Sequence, residues 1–147
     1  MKYLTELLSG LKKYETKGKF HFHVNGVLSL ICNIPVRSDY SGLYLFYSNK
    51  MELIYVGISG REGSEGNIIH RKDGLRGRFL TGKQFGIRRS KSLPIQMKLD
   101  NISSLEIHWF VTFGDNSKDI PRHIERTIIE SFKFENNGER PKWNKRD

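Results

Sequence analysis

One cysteine, Cys32, occurs in 147 residues, so an intrachain disulfide and a multi-cysteine zinc site are both excluded. No apolar run approaches the roughly 18 residues of a membrane-spanning helix, and no membrane partner is expected. The stretch Met1–Glu6 lacks the charged-then-apolar layout of a secretory leader, which makes the cytoplasm the expected location. Acids are scarce as well. Only 16 Asp and Glu stand against 25 Lys and Arg, a formal net charge of +9.

That positive charge is concentrated. Between residues 70 and 91 lie Arg71, Lys72, Arg76, Arg78, Lys83, Arg88, Arg89 and Lys91, opposed only by Asp73. Glycines and two phenylalanines, Phe79 and Phe85, are interleaved with them. Such a stretch suits a phosphate backbone, because each neutralised phosphate releases counterions.

The length suits a single domain with a real hydrophobic core. Residues 2–15 read as an amphipathic helix, with Tyr3, Leu4, Leu7, Leu8 and Leu11 on one face. Asn25-Gly26 between residues 21–24 and 27–31 predicts a hairpin. Strands are expected at 43–47 and 52–58, joined by a turn at 48–51, and a half-buried strand at 105–111. Residues 59–67 read as a loop. Helices are expected at 70–81, at 88–98 and from Pro121 to about residue 134, the last burying Ile120, Ile124, Ile128 and Phe132. This order predicts an α+β domain with a small antiparallel sheet. His21 and His23 share a strand face without a third ligand near in sequence, so they read as structural or surface residues.

The most informative segments are Gly42-Leu43-Tyr44 and Tyr55-Val56-Gly57, separated by residues 45–54. Two adjacent strands would then place two phenols beside glycines, whose bare backbone admits the close approach of a large substrate. Phosphodiester hydrolysis needs a group to activate water and a cation for the charge developing on phosphorus. Arg78 can clamp a phosphate as a fork. Glu125, next to Ile124 and four residues before Ile129, should flank the buried helix face and is the best-placed acid. One carboxylate suffices for Mg²⁺, whose other positions are filled by water and phosphate oxygens. A phenol can act as base only where cations stabilise its anion.

These residues resemble the GIY-YIG nuclease family. Gly42-Leu43-Tyr44 and Tyr55-Val56-Gly57 are similar to its two signatures at its interval. Leu75-x-x-Arg78-Phe79, Glu125-x-x-Ile128-Ile129 and Pro141-x-x-Asn144 look like its arginine segment, its glutamate helix and its closing asparagine. The likeness spans about residues 41–144, with 1–40 as an N-terminal helix and hairpin extension. It implies a three-stranded antiparallel sheet flanked by helices, with the site on the sheet surface. Tyr44 would be general base or water-positioner, Tyr55 its partner, Arg78 the phosphate clamp, Glu125 the ligand of Mg²⁺ or Mn²⁺, and Asn144 the tie between C-terminus and site.

Two departures stand out. The run from Gly57 to Arg78 is longer than in the minimal family module, and Gly82 stands where many members carry a histidine. His70, or its neighbours Arg71 and Lys72, is the candidate replacement, with Lys83 beside the vacant position. The expected function is a metal-dependent endonuclease acting on DNA, of restriction or phage type, with Gly57 and the basic residues above facing the nucleic acid. A non-catalytic nucleic-acid-binding module of the same fold and an RNA-cleaving nuclease are the alternatives. A double-strand break would call for a homodimer or two sequential nicks.

Overall fold

The strand Lys17–His23 (β1) alternates: Phe20 and Phe22 are buried, whereas Lys19, His21 and His23 are exposed. In the computed structural model, which describes residues 3–145, this strand is part of the main sheet. It pairs antiparallel with Ser104–Phe113 (β8), from Lys17 opposite Phe110 to His23 opposite Ser104. Strand β8 pairs in turn with Ser41–Ser48 (β2), and β2 with Leu53–Ser59 (β3). The sheet therefore has four strands in the order β1-β8-β2-β3, not the expected three.

The expected hairpin after Asn25-Gly26 does not form. Gly26 N–H closes a turn on His23 C=O at 2.7 Å, and the chain then makes one helical turn, Leu28–Ile31 (α2). Leu28 is 3% exposed and Leu30 is 81% exposed, so burial here does not follow the two-residue period of a strand. With no second hairpin strand, β1 satisfies its backbone groups on β8, more than 80 residues away in sequence.

The sheet buries both faces. On one, Tyr44, Phe46, Leu105, Ile107, Trp109, Phe20 and Phe22 meet Leu75 and Phe79 of helix Gly74–Thr81 (α3) and Leu93 and Met97 of helix Arg89–Leu99 (α4). On the other, Leu43, Leu45, Val56 and Phe110 meet Leu11, Tyr14 and Ile128. Ile128 belongs to the C-terminal helix Pro121–Glu135 (α5), which packs beside the N-terminal helix Tyr3–Gly10 (α1). A short 3-10 turn, Leu11–Lys13, continues α1, in place of a regular helix over 2–15. Residue 2, the first of that expected helix, lies outside the described residues, as do residues 1, 146 and 147.

Helix α3 begins four residues later than expected. Gly74 has φ +67°, and a Cβ there would come within 2.0 Å of the Arg37 carbonyl, so the chain folds sharply where a helix over 70–81 would pass straight through. The segment 59–67 is not simply a loop. Arg61–Glu62 (β4) pairs with Ile68–Ile69 (β5), and a second two-residue ladder joins Lys83–Gln84 (β6) to Ile87–Arg88 (β7) between α3 and α4.

Candidate functional site

Strand register puts the two tyrosines on one face. Tyr44 lies opposite Gly57 and Phe46 opposite Tyr55, so Tyr44, Phe46, Tyr55 and Gly57 share a surface. The Tyr44 and Tyr55 rings stack with centroids 6.2 Å apart and planes at 30°. Gly57 makes this possible, since a Cβ there would sit 2.1 Å from Tyr44 Cε2 and 2.8 Å from Tyr55 Cε2. Tyr55 is half-buried on the outer strand, while Tyr44 is 1% exposed.

Tyr44 is held from below by Arg89. Arg89 Nη2 donates to the Tyr44 hydroxyl at 3.1 Å, and the guanidinium lies over the Tyr44 and Phe79 rings at 4.9 and 5.3 Å from their centroids. Arg89 Nε donates to Gln84 Oε1 at 2.9 Å, and Nη1 donates to the Phe79 and Arg78 carbonyls at 2.6 and 3.3 Å. The residue is 1% exposed, which withdraws it from the expected contact with a phosphate backbone. Sequence reasoning missed this role, although Arg89, Leu93 and Met97 recur at four-residue intervals and so share the apolar stripe of α4.

Arg78 occupies the last turn of α3 and is half-buried, and its Nε is buried with no hydrogen-bond partner. The guanidinium is close to that of Arg89 around Gly82: a Cβ on Gly82 would meet Arg89 Nη1 at 3.3 Å and Arg78 Nη1 at 3.5 Å. A buried donor without an acceptor beside a second guanidinium is an arrangement that an anion can complete.

Glu125 is half-buried on α5 at the β3 side of the sheet, close enough for its charge to act on Tyr55. Burial pushes the Tyr55 phenol up to about 12, Tyr44 and Glu125 push the same way, and the Arg89 charge opposes them. At neutral pH Tyr55 is therefore a neutral hydroxyl, not an anion. Asn144 works on the β3 edge. Its Oδ1 accepts from Val56 N–H at 2.9 Å and its Nδ2 donates to Val56 C=O at 3.0 Å, between Tyr55 and Gly57.

His70 stands at the start of β2. Its Nδ1 is 2.6 Å from Ser41 Oγ and its ring meets the Phe113 edge at 6.0 Å. Ser41 is three residues from Tyr44, about 10 Å along the strand. Burial pulls His70 below the ordinary histidine value, while Asp39 opposes that shift. Arg76 is also engaged elsewhere, its Nη1 donating to the Cys32 and Ile34 carbonyls at 2.9 and 2.8 Å. Arg71, Lys72, Lys83, Arg88 and Lys91 are exposed, and none has an ion pair among the described residues.

Among the described residues no three His, Cys, Asp or Glu side chains gather as a ligand set. Near Tyr55 stands one hard carboxylate, Glu125, a ligand type that fits Mg²⁺ better than a softer ion that needs several protein ligands. Comparison of the chain with protein-family models, with curated proteins and with solved structures gave no match.

Proposed function

We propose that this chain is a metal-dependent endonuclease of GIY-YIG type that hydrolyses DNA phosphodiester bonds. The observation that carries the reading is the pair of phenols stacked across Gly57, with Arg78 and Glu125 on the two helices that flank it. Arg78 would grip a non-bridging phosphate oxygen through the fork that has an unpartnered Nε. Tyr44 accepts from Arg89, a side chain with no acceptor, so its own proton is free to orient a water or the phosphate. Tyr55 would act as a neutral donor next to it. Glu125 would hold Mg²⁺ or Mn²⁺, which supplies charge stabilisation for the phosphorane and a more acidic water when bound. Lys83, Arg88 and Lys91 would track the backbone, and cutting both strands would take a homodimer or two sequential nicks.

Supercoiled-plasmid cleavage with Mg²⁺ or EDTA tests this. Wild type is expected to nick, and Tyr44→Phe, Arg78→Ala and Glu125→Ala to lose roughly 10²-fold or more in rate. Equal rates in all four proteins would remove the enzymatic reading.

One observation favours a second reading, a non-catalytic nucleic-acid-binding module. Tyr44 is 1% exposed and its oxygen is already engaged, as in a packed core residue. Tight DNA binding by wild type without nicking, in Mg²⁺ and in Mn²⁺, would select it.

A further inference from the structure

We propose that Arg89 is a positioning residue for the cleavage reaction, fixing the Tyr44 hydroxyl and the α3 end that carries Arg78 as one unit. This rests on the nuclease reading above and extends it to a side chain outside the motifs that resemble the family's.

Packing alone does not account for Arg89. It is among the largest fully buried side chains. Burying a charge carries a desolvation cost, and a methionine of similar length could cover the same rings without it. What the guanidinium does instead is reach three elements at once. One nitrogen meets Tyr44 on β2, one meets two carbonyls at the end of α3, and Nε meets Gln84 on β6. One of those carbonyls is that of Arg78 itself.

The result is a fixed spacing between a phenol and a phosphate clamp. Tyr44 Oη receives a donor it cannot repay, which turns its own O–H away from Arg89. The Arg78 backbone is held from the same guanidinium, so the two groups cannot shift independently. Gln84 completes the frame. It is 6% exposed, sits on the β6–β7 ladder, and accepts from Nε. Misplacement of a catalytic group by about 1 Å can cost roughly 10²-fold in rate, so such a frame affects turnover more than binding.

The test is a cycle of cleavage kinetics on supercoiled plasmid with Mg²⁺: wild type, Arg89→Met, Tyr44→Phe and the double variant. Arg89→Met is expected to lower kcat roughly 10²-fold with KM within about 3-fold, and to cost clearly less in the Tyr44→Phe background, where only the hold on the Arg78 end of α3 is left to lose. Independent, multiplying losses, or a loss carried by KM, overturns the proposal. If circular dichroism shows Arg89→Met unfolded, Gln84→Met takes its place, since it leaves the charge and frees the guanidinium. It should lower kcat about 10-fold, and again by less where Tyr44 lacks its hydroxyl. Wild type that cleaves neither DNA nor RNA overturns the nuclease reading and this one together, whereas cleavage with independent losses removes only the role of Arg89.

Discussion

Gly57 is the floor on which Tyr44 lies: a Cβ at position 57 would come within 2.1 Å of Tyr44 Cε2 and 2.6 Å of Cζ. The two residues face each other across the β2–β3 ladder, and the absent side chain is what lets the phenol lie flat against the neighbouring strand. Gly57→Ala should therefore displace Tyr44 and break its stack with Tyr55. Overpacking of this kind costs about 1–3 kcal/mol, or roughly 2–9 °C in Tm for a chain of this size. Thermal unfolding checks this, and an unchanged Tm would mean that the ring moves aside freely. If the nuclease reading holds, cleavage should fall further than stability does.

Asn144 closes an otherwise open sheet edge. β3 is an outer strand, and the Asn144 side chain satisfies both Val56 backbone groups while Trp143 N–H donates to Ile54 C=O at 2.8 Å. Asn144→Ala should cost about 1–3 kcal/mol, because two backbone groups lose their partners. Asn144→Asp should cost no less, since it exchanges the amide donor for an oxygen facing Val56 C=O. Chemical unfolding ranks the three proteins. An Asp variant as stable as wild type would contradict the assigned amide orientation.

Local signals and long-range pairing were legible to different degrees. The β2–β3 hairpin could be read because its turn, its apolar runs and its glycines lie within twenty residues of each other, and α5 because Pro121 and the isoleucine stripe mark its start and its buried face. β1 could not be assigned a partner from sequence: its exchange of hydrogen bonds with β8 depends on the fold that joins them, and Asn25-Gly26 offered a nearer alternative. The site divides in the same way. Tyr44, Tyr55 and Gly57 follow from strand parity. Arg89 was counted with its charged neighbours because a charge in sequence suggests solvent, whereas its helical position places it in the core. His70 was read as the replacement for the histidine absent at Gly82 because it lies in the inserted run, and the structure holds it against Ser41 and Phe113.

The basic residues of the 70–91 stretch should separate into two groups. Arg76 donates to the Cys32 and Ile34 carbonyls, so Arg76→Ala should lower stability by about 1–3 kcal/mol and leave DNA affinity within a few-fold. Lys83, Arg88 and Lys91 are exposed without ion pairs among the described residues, so their replacement by Ala should spare stability. It should weaken duplex binding evenly across sequences and reduce the salt slope by about 1 per residue. Fluorescence anisotropy at several salt concentrations reads both quantities. A salt slope unchanged in the triple variant would move the nucleic-acid surface elsewhere.

Tyr55 gives the alkaline behaviour a defined direction. Burial raises its phenol from 10.0 to about 12 in the folded chain, so the unfolded chain releases its proton first as pH rises. The stability this group contributes is complete below about pH 10 and is lost as pH climbs toward 12. Tyr47, also pushed up to about 12 by burial with Glu106 adding to it, contributes in the same window. Tyr55→Phe should therefore make the alkaline fall in stability shallower without abolishing it. Urea unfolding between pH 8 and 12 measures the difference, and parallel curves for the two proteins would contradict the burial of the phenol. The same shift bears on catalysis: a phenol that holds its proton to such pH takes part as a donor, so cleavage at neutral pH should not track a Tyr55 ionisation.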